Sequence, residues 1–423
     1  MNSGGVFNLK ILKSKTMMVN TFHINKKNTI WYFALVPFLF PKGFSEYYYG
    51  YKKFGVFILG ISIVIILTRE LFIVSSSNWM IKLYVPLVLI LLYHITLLLI
   101  TLAKQGTITE GLQKIFAVPA ICLLLTEGGR RKLFNIIDVI CNILIVEFLL
   151  NLLVFNQWLF PTYFLVDRHI TFIGHVQVSS EIGILGILIA YAELGYHVYK
   201  VKPIVLIMLS FITMIYSKTA ASYVSIALIV VFLLLGNLLL VKSFIVKHIK
   251  LITVIIIALT AMWLNIDNIP AFSRFHSSIV RYTSGRPFIW DKGIELFKEK
   301  PFLGYGAYGA LIKPFWVQHT NGGKGFNYAH NTILQLLLDG GIVLTIIFII
   351  TLFVYLYHVE KYINDRNTKY IIYMLFITFL FVGQFESITE YYYFFIFLSI
   401  IPYMELNCKK KREEYEYYQD MAA

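Results

Sequence analysis

The chain has 423 residues, 58% of them hydrophobic and only 14% charged. A soluble domain needs far more charge to cover its surface, so a soluble globular class is excluded. The formal charge of +14 points to basic cytoplasmic loops in a membrane chain and not to a nucleic-acid partner.

Residues 1–28 carry Lys10, Lys13, Lys15, Lys26 and Lys27 without an apolar stretch. That is not the pattern of a cleavable signal peptide, so the first apolar block is expected to be an uncleaved span. Long apolar blocks follow, such as Leu83–Leu102, Leu133–Phe155, Tyr223–Val241 and Leu251–Leu264. Blocks near 20 residues match a hydrocarbon core of roughly 30 Å at 1.5 Å per helical residue. Without the alternating polarity of barrel strands, they must be helices. Spans are predicted near 29–45, 54–75, 80–103, 114–127, 133–155, 177–198, 203–217, 220–241, 250–267, 332–357, 370–388 and 391–405. The expected fold is all-α, a polytopic transmembrane bundle of about 12 spans forming a single membrane domain over 1–423.

Basic clusters recur at Arg130-Arg131-Lys132, Lys200/Lys202, Lys242/Lys247/Lys250 and Lys361/Arg366/Lys369, and Lys409-Lys410-Lys411-Arg412 sits in a basic tail at 406–423. An even number of spans and cytoplasmic termini put all of these inside, as the positive-inside rule requires. Lys42, Lys52 and Lys53 go against it. Loops 156–176 and 268–331 then face outward. Loop 268–331 is the long hydrophilic segment, and segments of that kind carry function. Within it Ile289, Trp290, Gly293, Ile294 and Phe297 recur at helical spacing up to Pro301, which predicts a short amphipathic helix lying on the bilayer surface.

Cys122, Cys141 and Cys408 have no paired spacing, so neither a disulfide framework nor a zinc site is expected. Gly304-Tyr-Gly306-Ala-Tyr-Gly309 matches the dinucleotide fingerprint, but it follows a helix-breaking proline and no βαβ unit surrounds it. His94, Glu147, Glu181, Glu193 and Glu386 fall within apolar spans or at their ends, where polar groups are costly and hence functional candidates. Glu181 and Glu386 are expected to pair with a loop arginine or to line a cavity. Glu147 is expected to pair within the bundle.

The informative constellation is Ser284-Gly285-Arg286, Trp290, Pro301, Gly304-Tyr305-Gly306, Ala329-His330-Asn331 and Gly340-Gly341. In order and spacing it resembles the O-antigen ligase and Wzy-type polymerase superfamily. That family has an arginine, a tryptophan shortly after it, a proline leading into a glycine pair, and a His-Asn opening the next membrane helix. The resemblance extends to the smaller outer loop, where Arg168 precedes Gly174, and to Ser217-Lys218-Thr219, where the family usually has arginine after the serine.

The resemblance implies a polymerase for capsular or exopolysaccharide. It would join undecaprenyl-diphosphate-linked oligosaccharides on the outer face of a bacterial cytoplasmic membrane, with no cofactor, metal or nucleic acid. The bilayer and a chain-length regulator would be its partners. A ligase that moves glycan to another acceptor uses the same donor site, and a lipid-linked oligosaccharide flippase is the alternative from a different class.

The departing diphosphate needs cations, and the planar fork of arginine suits phosphate. The attacking hydroxyl needs a base or an orienting acceptor, and histidine titrates near working pH. The expected catalytic residues are therefore His330, Arg286 and Glu181. Arg168, Arg281, Lys218, Asn331 and Trp290 are expected to hold diphosphate or glycan. The competing structural readings make Asn331 a helix cap, Trp290 an interface anchor, and Gly304 and Gly306 turn formers.

Overall fold

The computed structural model describes residues 29–39, 49–76, 84–104, 108–131, 133–154, 171–195, 200–264, 286–307 and 328–405. The expected N-terminal segment, the basic tail, Arg168 and Arg281 lie outside the described residues.

Every regular element among the described residues is helical. In chain order these are α1 (Thr29–Leu35, continued by a 3-10 turn Val36–Phe38), α2 (Tyr49–Ser76), α3 (Val85–Lys104), α4 (Ile108–Arg130), α5 (Asn135–Val154), α6 (Val178–Leu194), α7 (Val201–Ser217), α8 (Ala220–Leu235), α9 (Leu239–Leu264), α10 (Arg286–Glu299), α11 (Thr332–Tyr362), α12 (Arg366–Val382) and α13 (Tyr393–Ser399). By length and composition, four helices among the described residues can cross a membrane: Val85–Lys104, Asn135–Leu153, Leu239–Leu264 and Thr332–Tyr362. Thr29–Phe38, Val201–Ser217, Ala220–Leu235 and Tyr393–Glu405 are apolar but shorter.

α6 lies at the centre, packed against α5, α7, α8, α12 and α13. Its sequence is apolar on all sides, which is what a helix without a lipid or water face requires. Gly183 and Gly186 let it approach Met214 and Ser210 of α7 closely. Isoleucine, leucine, valine and phenylalanine on α8 and α9 are instead widely exposed, as lipid-facing surfaces are.

The two ends of the bundle differ. At one end Lys202 (α7 start) pairs with Asp138 (α5 start) and with Glu193 (α6 end), Lys242 (α9 start) donates to Asn367 (α12 start) at 2.8 Å, and Lys250 pairs with Glu360 (α11 end) at 2.6 Å. The basic residues Lys202, Lys242, Lys250 and Lys369 thus gather at one end. The starts of α6 and α11, the end of α12 and helix α10 gather at the other end.

Two boundaries depart from the sequence reading. The segment with Lys242, Lys247 and Lys250 was expected as a loop. It is helical, because α9 begins at Leu239 and carries the lysines on its first turns, kinking at His248 (φ −109°, ψ 16°). Lys242 and Lys250 find polar partners on α12 and α11, which removes the need for a loop. The predicted span 370–388 ends at Val382; residues 383–392 turn back into the structure and carry Glu386.

The amphipathic helix is present as α10, but its apolar face does not meet lipid. Ile289, Trp290 and Leu296 pack on Ala329, Leu334 and Leu338 at the start of α11. The turn after it, Pro301–Ala307, plugs a break in α11. Gly341 there has φ +63° and ψ −158°, which opens the ladder, and the freed Ile342 N–H donates to Pro301 O at 2.8 Å. In exchange Tyr305 N and Gly306 N donate to Leu338 O and Asp339 O at 2.8 and 2.9 Å. Ala307 N reaches Thr101 Oγ1 on α3 at 2.9 Å. The proline, the Gly-Tyr-Gly and the Gly-Gly form one device that fixes α10 to α11.

Candidate active site

α10 begins with Arg286, and α11 is preceded by His330 and capped by Asn331. The turn after α12 supplies Glu386. The three meet: Arg286 Nη2 lies 2.5 Å from Glu386 Oε1, and His330 Nδ1 lies 3.0 Å from Glu386 Oε2. All are almost sealed from solvent, at 8%, 6% and 1% exposure for Arg286, His330 and Glu386. Buried charges persist only when paired, and one carboxylate here serves a guanidinium and an imidazole together.

Backbone bonds set the geometry. Asn331 Oδ1 accepts from Leu334 N at 3.0 Å, a normal N-cap, while its Nδ2 donates to Gln384 O at 3.0 Å. Thr332 N donates to Gly383 O at 2.8 Å and Thr332 Oγ1 to Glu386 O at 2.9 Å. Ile388 N in turn donates to Thr332 Oγ1 at 3.2 Å. The α11 cap and the Glu386 turn are thereby stitched edge to edge. His330 itself sits at φ +50°, the left-handed region. Among the described residues the other non-glycine residue with positive φ is Lys218, at +53°. Strain of that kind concentrates at functional positions.

The sequence candidates fall as follows. Arg286 and His330 come together. Glu386 joins them, so the expected pairing of a span-end glutamate with a loop arginine is realised by Glu386. Glu181, buried on the first turn of α6, and Glu390, buried beyond Glu386, lie nearby. Both, with Glu386 and the neighbouring Tyr391, add negative potential at Tyr328, whose hydroxyl is pushed well above its ordinary value by burial first of all. The Tyr328 ring lies 4.2 Å from that of His330, and its hydroxyl donates to Gln177 Oε1 at 2.9 Å. Trp290 is enclosed, its Nε1 donating to Ala329 O at 3.0 Å, so it holds the backbone before His330 in place. Lys218 is exposed in the turn between α7 and α8, at the same end of the bundle.

Sequence reasoning passed over Tyr328, Gln177, Glu390 and Gln335. Gln335 accepts from Ala329 N at 2.8 Å and donates to Asp339 at 2.9 Å. Their one signal was polarity at the ends of apolar helices. His94 bonds the Ile90 carbonyl of its own helix at 2.7 Å, and Glu147 Oε2 has no hydrogen-bond partner among the described residues, contrary to the expected pairing within the bundle. No group of three metal-ligating side chains occurs among the described residues.

Fold and site together define an integral membrane protein of helices with a buried arginine–carboxylate–histidine cluster at one end. The O-antigen ligase family model matches residues 204–349, from α7 to the middle of α11, and this stretch contains Lys218, Arg286, Trp290, His330 and Asn331. The match supports the O-antigen ligase and Wzy-type superfamily and indicates glycan transfer of the ligase and polymerase kind. No curated protein matches the chain.

Proposed function

We propose that the chain is a polysaccharide polymerase that joins undecaprenyl-diphosphate-linked oligosaccharide units into capsular or exopolysaccharide. The observation that carries the reading is the meeting of Arg286 and His330, 44 positions apart in sequence, on one buried carboxylate. By the positive-inside rule the basic end of the bundle is cytoplasmic, so the cluster opens to the outer face of a bacterial cytoplasmic membrane, at headgroup depth.

The chemistry needs no nucleotide, because the sugar–phosphate bond is already activated. The terminal hydroxyl of one lipid-linked unit attacks the anomeric carbon of another. A new glycosidic C–O bond forms, the bond from that carbon to the phosphate oxygen breaks, and the lipid diphosphate departs with the electron pair. His330 takes the hydroxyl proton, and Arg286 holds the departing diphosphate with its planar donor fork. Lys218 adds a second cation, with Arg168 and Arg281 as further candidates. Glu181 borders the glycan path, and Asn331 serves the site through the backbone it holds beside His330. A chain-length regulator is the expected protein partner.

The alternative within the class is transfer of finished glycan to a different acceptor, favoured by the description of the matched family as O-antigen ligase. Purified protein given undecaprenyl-diphosphate repeat units tests the reading. A ladder of lengthening products that is lost in Arg286→Ala and His330→Ala supports it. Transfer of one preformed chain to a second acceptor without lengthening would move the assignment to a ligase, and movement of the lipid-linked sugar across vesicles without transfer would move it to a transporter.

A further inference from the structure

We infer that Glu386 is a positioning residue for the transfer, setting the protonated nitrogen of His330 and the place of Arg286 through one shared carboxylate. The inference rests on the glycan-transfer reading of the site.

A carboxylate only accepts hydrogen bonds. His330 Nδ1, 3.0 Å from Glu386 Oε2, must therefore be the nitrogen that carries the proton. In the neutral ring Nε2 then holds the lone pair and is the atom able to take a proton from an acceptor hydroxyl. The orienting of a basic imidazole by a carboxylate behind it is a general device. The other oxygen of the same carboxylate accepts from Arg286 Nη2 at 2.5 Å. Because both oxygens belong to one rigid group, the separation of base and cation is fixed by Glu386.

Glu386 is itself held. Its carbonyl accepts from Thr332 Oγ1, and its N–H donates to Val382 O at 2.9 Å. Ser387 Oγ donates to Asn331 O at 3.4 Å, and Asn331 Nδ2 to Gln384 O. The backbone on both sides of the carboxylate is thus anchored to the helix cap that carries His330.

Glutamine at this position cannot reproduce the arrangement, because its amide NH2 would face either the guanidinium or the imidazole N–H, donor against donor.

The test combines kinetics and nitrogen spectroscopy on the purified full chain. With the undecaprenyl-diphosphate repeat unit as substrate, Glu386→Gln is expected to lower kcat by about 100-fold or more, the lower range of general-base effects. The donor KM should change far less. In a His330→Ala background the same substitution should cost several-fold less, because the part that acts through His330 is already lost and only the part that acts through Arg286 remains. Nitrogen-15 histidine spectra, assigned by difference with His330→Ala, should show His330 protonated at Nδ1 in the unmodified protein and mixed in Glu386→Gln. An undiminished kcat, an equal loss in both backgrounds, or a dominant Nε2–H form in the unmodified protein would overturn the inference. The spectrum of the unmodified protein requires no variant to fold and no substrate. If that protein shows Nδ1–H yet transfers no glycan from the native repeat unit, the glycan-transfer reading fails and takes the catalytic role of Glu386 with it, while the proton assignment stands.

Discussion

Trp290 Nε1 donates to the carbonyl of Ala329 at 3.0 Å, one residue before the strained His330. The ring is buried against Leu334 and Leu338 within the α10–α11 contact, so the bond forms away from competing water. Trp290→Phe keeps most of the apolar packing and removes the donor, leaving a buried carbonyl without this partner. That costs about 1–3 kcal/mol. The expected outcome is a lowered thermal midpoint together with a transfer rate reduced by roughly an order of magnitude, a consequence of a slightly misplaced base. A variant with full activity and lowered stability would show that Trp290 packs without positioning.

Asn331 separates two roles that a single alanine substitution would merge. Its Oδ1 caps α11 and its Nδ2 reaches Gln384 O across to the Glu386 turn. Asn331→Asp keeps the cap acceptor and loses the donor; Asn331→Ala loses both. Losing the cap costs about 1 kcal/mol. Asp is expected to retain the stability of the cap but to lower transfer activity, because the Gln384–Glu386 turn loses one of its ties and a new carboxylate opposes a carbonyl. Thermal unfolding and initial rates on the two variants check this.

How far the sequence went follows from what local chemistry encodes. Long apolar blocks fixed the helices, because length and polarity are properties of each segment. Arg286, His330 and the proline–glycine series were legible as a constellation in linear order. Glu386 was legible as a polar residue at the end of a span with a loop arginine as one expected partner, but not as the group that joins Arg286 to His330, since nothing local ties it to residues 100 and 56 positions away. The lysines at 242–250 misled because charge within an apolar run reads as a loop, whereas partners such as Glu360 and Asn367, contributed by distant helices, allow it to stay helical. Trp290 reads as an interface anchor until the Pro301–Ala307 turn is seen to press α10 onto α11.

Gly341 is expected to be the least replaceable glycine in that lock. At φ +63°, a Cβ there would come within 2.3 Å of Phe302 C and O, backbone atoms that cannot move aside. Gly341→Ala should expel the Pro301–Ala307 turn and lower both stability and detergent-soluble yield, by more than the roughly 0.5–1 kcal/mol that separates glycine and alanine elsewhere. Gly60 in α2 is the control, with open space around its missing Cβ. Gly60→Ala should be neutral or slightly stabilising by thermal unfolding in the same detergent. If Gly341→Ala behaved like Gly60→Ala, the turn would not be what holds α10.

Lys218 offers a case in which stability and function should part. It stands in the left-handed region at the end of α7, a conformation costing an ordinary residue about 1–2 kcal/mol. The turn around it is fixed by hydroxyls: Ser217 Oγ donates to Ser222 Oγ at 2.8 Å, and Thr219, the N-cap of α8, accepts from Ser222 N at 3.2 Å. Nothing in that network needs a lysine side chain, and glycine would fit the backbone better. Lys218→Gly is therefore expected to raise the thermal midpoint while raising the donor KM several-fold, since an exposed cation at the catalytic end is lost. Lys218→Arg should keep the donor KM, because under the proposed function it is the charge that would meet the diphosphate. A Lys218→Gly protein that was stabilised and bound donor as before would remove this lysine from the site and leave the strain at φ +53° without a function to explain it.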